Sequence, residues 1–375
     1  MKIGIDSRAA KLYRGTGIGT YTYQLINYLN KIDNINEYLL FSPKNCTYNI
    51  SLRNNFCVNA IIDDKKNNFW DEVNVPNILK DKDIQIYHVP QNGIGLPEDK
   101  NCSFIITLHD IIPYKMPETV SKNYLKIFRE KIPQIFDDCD GIITVSNYSK
   151  DDIVKTFNFP SDKIYVTHLA AEDIYKPIDK SYSKNIIKKF YSIDEDFILY
   201  VGGFSPRKNI LGLIDAFSIF SNRYKNKIKL VIAGKKGLSY DIYKKRVHEL
   251  NLDDKVIFPG FISIEHLPCL YNAAELFVYP SFYEGFGLPP IEAMSCGIPV
   301  IASNTTSIPE VTNGGALLVD PNNTDLLSDS ILKIILDHKL KSKLIKAGLV
   351  RASELTWQKT AEDTLKAYHE VFNKI

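Results

Sequence analysis

Short apolar, β-branched runs alternate with helical-period segments along the whole chain, the pattern of parallel βαβ units. In the first half the strand candidates are Lys2–Ile5, Tyr38–Phe41, Cys57–Ile62, Ile84–His88, Phe104–Leu108, Ile142–Val145 and Ile164–Thr167. Between them Tyr21, Gln24, Leu25, Tyr28 and Leu29 recur at i, i+3, i+4 and i+7, and Leu125, Phe128, Ile132 and Ile135 do the same, so helices are predicted there. Around 176–190 the pattern lapses into KPIDKSYSKNIIKKF, polar and lysine-rich, which reads as a connection between domains. A second series follows, with strands predicted at Phe197–Val201, Leu230–Ala233, Val256–Phe258, Leu276–Tyr279, Val300–Ala302 and Leu317–Val319. The last helix is expected near Thr356–Phe372. The fold class is therefore α/β, with two doubly wound, Rossmann-like domains expected to face each other across a cleft.

Length agrees with that division. At 375 residues the chain exceeds what one core usually organises, about 250–300 residues. The expected domains are 1–178, completed by a terminal helix at about 356–375, and 179–355. A hydrophobic share of 45% and a charged share of 24% are ordinary for a globular protein and exclude collagenous or disordered classes. The net charge of +2 gives no field that would favour nucleic acid, so no nucleic-acid partner is expected. The six cysteines form no CxxC pair, and several sit in apolar stretches, which predicts reduced thiols in a cytoplasmic protein. Met1 runs directly into the strand-like KIGID, and no segment approaches the roughly 20 apolar residues of a membrane span. The sequon Asn45-Cys46-Thr47 then carries no weight.

Ligands of open parallel sheets collect beyond the carboxyl ends of the strands. Four such segments carry candidate chemistry. In YRGTGIGTYTYQL (13–25), Gly15, Gly17 and Gly19 precede a helix, so backbone amides there can approach a phosphate closely. The alternatives are a mobile loop with a glycine cap or a nicotinamide fingerprint. Against the latter, the glycines lie roughly ten residues past the strand and no acidic ribose ligand ends the second strand. In TLHDIIPYKMPE (107–118), His109 can hydrogen-bond a substrate hydroxyl or shuttle a proton, or can simply be satisfied within a turn. In YVGGFSPRKN (200–209), Arg207 and Lys208 supply a planar fork and a point charge just before a helix beginning at Asn209, so cations and helix start converge on one anion.

The fourth segment is SFYEGFGLPPIEAMSCG (281–297), with Glu284 and Glu292 on either side of a glycine and proline corner. Pro290 suits the first position of a helix that ends at Gly297, which makes Glu292 an early-turn residue. A carboxylate there either complements the helix dipole or accepts neighbouring sugar hydroxyls, and amides of Phe286, Gly287 and Leu288 can receive phosphate or hydroxyl oxygens. The acidic run Asp194-Glu195-Asp196 precedes a strand and reads as a solvated turn, so no metal site is predicted.

With these segments in view, the chain resembles the family 4 retaining glycosyltransferases of the GT-B fold, over nearly its whole length. The resemblance is carried by the glycine loop, TLHD, TVSNYSK (144–150), GGFSPRKN, FPGFIS (258–263) and EGFGLPPIEAMSCGIPVIAS (284–303), whose Glu-x7-Glu spacing is the most specific element. It implies transfer of a sugar from a nucleoside diphosphate sugar to a saccharide or lipid-linked acceptor, and no cofactor or metal is expected, since Arg207 and Lys208 would handle the leaving-group charge. It further implies that Glu292 holds the ribose hydroxyls and Glu284 the donor sugar, with amides of Phe286, Gly287 and Leu288 at sugar or phosphate. Arg207 and Lys208 would neutralise the departing diphosphate, His109 would sit beside the sugar, Gly17 would form the loop by phosphate and acceptor, and Phe261 would neighbour the base. Many members carry arginine where this chain has Gly203, which shifts phosphate neutralisation onto Arg207 and Lys208. The style of the GFGLPP block leans towards mannosyl- or rhamnosyltransferases of polysaccharide assembly, hence towards GDP-mannose. A nucleotide-sugar epimerase of the same fold and a noncatalytic sugar-binding module are the alternatives. Lys122, Lys126, Arg129 and Lys131, close to Leu125, Phe128 and Ile132, would suit peripheral contact with an anionic inner-membrane face, or form a solvated helix face.

Overall fold

A computed structural model of the chain describes residues 1–43, 50–61, 76–97, 99–237 and 239–374, without the side chains of 61 and 76–78. Cys46, its sequon and Ile62 lie outside the described residues. The chain divides into two compact units, Met1–Leu169 with Thr356–Ile375, and Ala170–Leu355.

The first unit holds seven parallel strands: β1 (Lys2–Asp6), β2 (Glu37–Pro43), β3 (Phe56–Ile61), β4 (Ile86–Val89), β5 (Ser103–Thr107), β6 (Gly141–Thr144) and β7 (Ile164–Val166). Their order is β3-β2-β1-β4-β5-β6-β7, so the winding reverses between β1 and β4. Strands such as β5 are buried on both faces, which is why they read as unbroken apolar runs rather than alternating ones. Helices cover the sheet. Phe128 and Ile132 of the helix Lys122–Asp138 are fully buried in this core. Leu125 is half-buried, and Lys122, Lys126 and Arg129 are exposed. The terminal helix Trp357–Phe372 is fixed to this unit by two polar contacts. The Tyr368 hydroxyl lies 2.7 Å from His88 Nδ1, and Thr360 Oγ1 donates to the His168 carbonyl at 2.6 Å.

The second unit holds six parallel strands: β8 (Phe197–Val201), β9 (Lys229–Ala233), β10 (Val256–Gly260), β11 (Leu276–Tyr279), β12 (Val300–Ser303) and β13 (Leu317–Val319). Their order, β10-β9-β8-β11-β12-β13, reverses between β8 and β11. At the carboxyl ends of β8 and β9 the backbones nearly touch. A Cβ on Gly234 would lie 1.9 Å from the Gly202 carbonyl oxygen, so only glycine fits there.

Two sequence expectations need correction here. Residues Lys180–Tyr191, within the expected connection, form a helix of the second unit. Asp179 caps it by accepting the Tyr182 amide at 2.8 Å, and Ser183 and Ile187 are its buried positions. So thin an apolar stripe among lysines hides the helix from a periodicity search. The division between units also falls at Leu169, before the boundary expected at 178, because residues 170–178 are bonded to the second unit. Asn272 Oδ1 accepts the Ile178 amide at 2.8 Å, and Asn272 Nδ2 donates to the Lys176 carbonyl at 3.0 Å.

Candidate active site

The carboxyl edge of the second sheet gathers most of the predicted residues at its winding reversal. After β8 the chain passes Gly203 and enters a single 3-10 turn, Pro206–Lys208, which ends at Asn209 in the left-handed region with φ 54°. Asn209 then caps the helix Ile210–Arg223 through a bond from the Gly212 amide, and its Nδ2 anchors it to the Pro321 carbonyl at 2.7 Å. After β11 the loop 280–287 runs alongside, joined to the turn by a bond from the Phe282 amide to the Arg207 carbonyl at 2.8 Å. These anchors set the two cations and Glu284 face to face.

Lys208 Nζ lies 2.6 Å and Arg207 Nη1 2.9 Å from the same oxygen, Glu284 Oε1. Arg207 Nη1 also donates to the Tyr283 carbonyl at 2.9 Å, and the Tyr279 hydroxyl bonds both Lys208 and Glu284. The Glu284 and Lys208 side chains are 8% and 10% exposed, so this is a desolvated cluster with one net positive charge. Burial pushes the Glu284 carboxyl up, but the neighbouring Arg207 and Lys208 charges outweigh it and bring it down to about 2. Glu284 is therefore held as a carboxylate, able to accept from hydroxyl groups.

Glu292 has the opposite setting. The helix begins at Leu288, capped by Gly287 at φ 101°, and not at Pro290 as its sequence suggests. Pro289 and Pro290 take its second and third positions, where the amide has no intrahelical partner in any case. Glu292 thus stands in the second turn, too far in for the helix-dipole role expected of an early-turn carboxylate. Its Oε2 accepts the Tyr271 hydroxyl at 2.7 Å. Burial, with the Glu172 carboxylate nearby, raises Glu292 to about 7 against the lowering effect of the Tyr271 bond.

The corner between the two glutamates is fixed from β12. Thr306 Oγ1 accepts the Glu284 amide at 3.1 Å, and Ser307 Oγ bonds the carbonyls of Glu284 and Phe286 at 2.9 and 3.0 Å. Thr306 pays for this with a β-branched residue at φ 55°. Phe286 is buried, and a Cβ on Gly287 would lie 2.6 Å from Ile308 Cδ1. Gly203 is different: its φ is ordinary and a Cβ would meet nothing within 4 Å. Phe261 follows Gly260 at the end of β10 and is 67% exposed, a ring available for stacking.

The remaining predicted residues belong to the first unit and are described with it. His109, after β5, is buried, with Nε2 3.0 Å from the Pro90 carbonyl and its amide donating to Asn92 Oδ1 at 3.0 Å. A carbonyl only accepts, so Nε2 carries the proton. Burial lowers His109 to about 4, so the ring is neutral near pH 7 and suits hydrogen bonding rather than the proton shuttle entertained from sequence. Gly17 opens the helix Gly17–Ile32 behind its Thr16 cap, with open space around its Cα. Gly19 is the tight glycine of that loop, since a Cβ there would lie 1.9 Å from the Tyr13 carbonyl oxygen.

Several residues escaped the sequence reading. Tyr279, Tyr271, Thr306, Ser307 and the pair Tyr175 and Glu172 are ordinary residue types, and only their placement within the second unit marks them. Asp6 and Arg8 form a buried pair at 2.7 Å just past β1, and Gln91, just past β4, donates to Asp6. The acidic run at 194–196 lies at the opposite, amino edge of the second sheet. Its members pair with Lys188, Lys229 and Lys184.

Comparison with known proteins places this geometry. Residues 15–171 match the model of Glycosyltransferase Family 4, and residues 183–351 that of Glycosyl transferases group 1. The chain is 35% identical over 290 residues to the O-antigen chain mannosyltransferase B of Escherichia coli, covering 77% of this chain and 75% of that protein. The chain belongs to the group 1 glycosyltransferases. Like others of this family, it is a transferase with the GT-B fold. The fold recurs in sucrose-phosphate synthase from Thermosynechococcus elongatus, with a TM-score of 0.79, 22% identity and full coverage of both chains. It recurs also in Anabaena HepE, solved with UDP and glucose, with a TM-score of 0.75, 17% identity and coverage of 99% of this chain and 100% of that one. Among the described residues, no helix of this glycosyltransferase is long and apolar enough to cross a membrane.

Proposed function

We propose that this glycosyltransferase moves a sugar from a nucleoside diphosphate sugar to an acceptor hydroxyl with retention of anomeric configuration, in polysaccharide assembly. The observation that carries the reading is the cluster of Arg207, Lys208 and Glu284 at the winding reversal of the second sheet. As the anomeric bond breaks, negative charge grows on the leaving diphosphate, and preorganised cations in a desolvated site stabilise that charge directly. In this reading Lys208 and Arg207 turn from Glu284 to the diphosphate, while the ionised Glu284 accepts from the sugar hydroxyls. The single amide left at the start of the helix Leu288–Ser295 meets a sugar or phosphate oxygen, Phe261 stacks on the base, and Glu292 holds the ribose. No metal is assigned to the step, because the two cations take the leaving-group charge.

Mannose, carried as GDP-mannose, is the first candidate donor, supported by the mannosyltransferase name of the Escherichia coli relative. The acceptor is a saccharide, free or lipid-linked, at the cytoplasmic side. The test is a thermal-shift screen of GDP-, UDP- and dTDP-sugars, in which a true donor at a hundred times its Kd adds about 2.7 kcal/mol of stability. Turnover of the stabilising donor is then followed with and without acceptor. Acceptor-independent conversion of the sugar would mean an epimerase, and inversion at the anomeric carbon by NMR would overturn retention. Loss of transfer in excess chelator, restored by magnesium or manganese, would overturn the metal-free assignment.

A further inference from the structure

A buried tyrosine hydroxyl bonds Glu292, a second buried tyrosine packs on the first, a second carboxylate acts on Glu292 from nearby, and no role has been assigned to any of them. Tyr271, fully buried on the helix Leu267–Ala273, donates to Glu292 Oε2 at 2.7 Å. Tyr175, also buried, sets its ring edge to face against the Tyr271 ring at 5.7 Å, and its phenol is raised by burial and by the Glu292 charge beside it. Both phenols are raised well above their ordinary range, so each is a permanent donor. Glu172, three residues before Tyr175 and itself buried, adds a like charge. The thiol of Cys296, at the C-cap of the helix that carries Glu292, is pushed up by burial and by Glu292.

We propose that Tyr271 and Tyr175 are positioning residues that aim the Glu292 carboxyl at its ligand, Tyr271 through its hydroxyl and Tyr175 by packing on the Tyr271 ring, so that the segment 170–178 is part of the donor site. This inference rests on the reading of Glu292 as the ribose clamp. Its physical content is a balance: the Tyr271 phenol favours the carboxylate that hydroxyl groups need, while burial and Glu172 favour the neutral acid. Donor binding is thereby tied to proton release near neutral pH. A carboxyl that titrates at about 7 and binds only when ionised loses about tenfold in affinity between pH 8 and pH 6.

Calorimetric titration of the full chain with GDP, with UDP as alternate probe, at pH 6.0 and 8.0 tests this. Wild type should lose about tenfold in affinity on going from pH 8.0 to pH 6.0. Glu172→Gln should bind more tightly than wild type at pH 6.0 and equally at pH 8.0, keeping only the part of the pH dependence that burial causes, an improvement that a purely structural role cannot produce. Tyr271→Phe should weaken binding at pH 8.0 by about tenfold and move the acid limb upward, and Tyr175→Leu, which removes the packed ring, should do the same. Both effects should be absent with the 2′-deoxy nucleotide if the clamp acts on that hydroxyl. Should Glu292→Gln lose affinity and pH dependence while Glu172→Gln and both tyrosine variants follow wild type, the inference fails and the ribose reading stands. If Glu292→Gln itself follows wild type, or neither nucleotide binds, both fall.

Discussion

Lys208 and Glu284 stand 2.6 Å apart inside a desolvated cluster, with Arg207 at the same carboxylate oxygen. In the proposed reaction the cations that meet the diphosphate are therefore held in place beforehand, and the diphosphate replaces Glu284 as their partner. Lys208→Met should reduce kcat by about a hundred- to a thousandfold, the usual cost of losing one donor at developing charge, with a smaller effect on donor KM. Steady-state kinetics with a saturating acceptor measure it, and an unchanged kcat would remove Lys208 from the transition state.

Glu284 also links the cluster to acid stability. Its folded value, about 2, lies below the ordinary 4.5, so its stabilising contribution is complete above pH 4.5 and is lost as pH falls through 2. The contribution is at most about 3 kcal/mol. Urea titrations at pH 7 and pH 3 should show that Glu284→Gln lacks this part of the wild-type acid destabilisation.

The first unit should lose stability in a higher pH window. His109 and His88 are both buried neutral, and burial lowers them to about 4 and about 3. Below pH 6.5 the unfolded chain takes up protons that the folded chain refuses, so stability falls from pH 6.5 down to the folded values, by about 3 kcal/mol for His109. Melting of His109→Asn and wild type at pH 7.5 and 5.0 should show a smaller acid loss in the variant. The pH–rate profile should show no limb from His109 between pH 5 and 8.

Glycines at the strand ends separate steric need from ligand access. Gly234→Ala should cost more than about 4 kcal/mol, because its Cβ meets backbone, whereas Gly203→Arg should change stability by less than about 0.5 kcal/mol. An arginine at 203 would add a third cation to the loop of Arg207 and Lys208 and should tighten nucleoside diphosphate binding, read by calorimetry. Gly17→Ala has open space too, so a loss of activity at unchanged melting temperature would mean that substrate, not protein, comes close to that Cα.

The strand series was legible because every strand is a short apolar run between breaker residues, and Phe197–Val201, Leu276–Tyr279 and Leu317–Val319 appear with the bounds expected. The helix Lys180–Tyr191 was not, because its packing needs only Ser183 and Ile187 to turn inward while lysine dominates the pattern. In the site, Arg207, Lys208 and Glu284 were legible as charges beside glycine corners. Their pairing was not, since it depends on β8 and β11 lying side by side, a fact of topology. Tyr271, Tyr175 and Glu172 stayed hidden for the same reason: in sequence they are 96 residues or more apart from one another or buried in a stretch that reads as connection.

Pro289 and Pro290 give the corner a property of its own. Two imino acids remove two of the donors a helix start ordinarily offers, leaving Leu288 as the one amide of its first three positions. The corner thus acts as a gauge of shape and direction, while charge is handled elsewhere by exchangeable side chains. If the proposed roles hold, substitutions at 203, 207 or 208 should alter leaving-group chemistry and spare sugar choice, and changes at the corner should do the reverse.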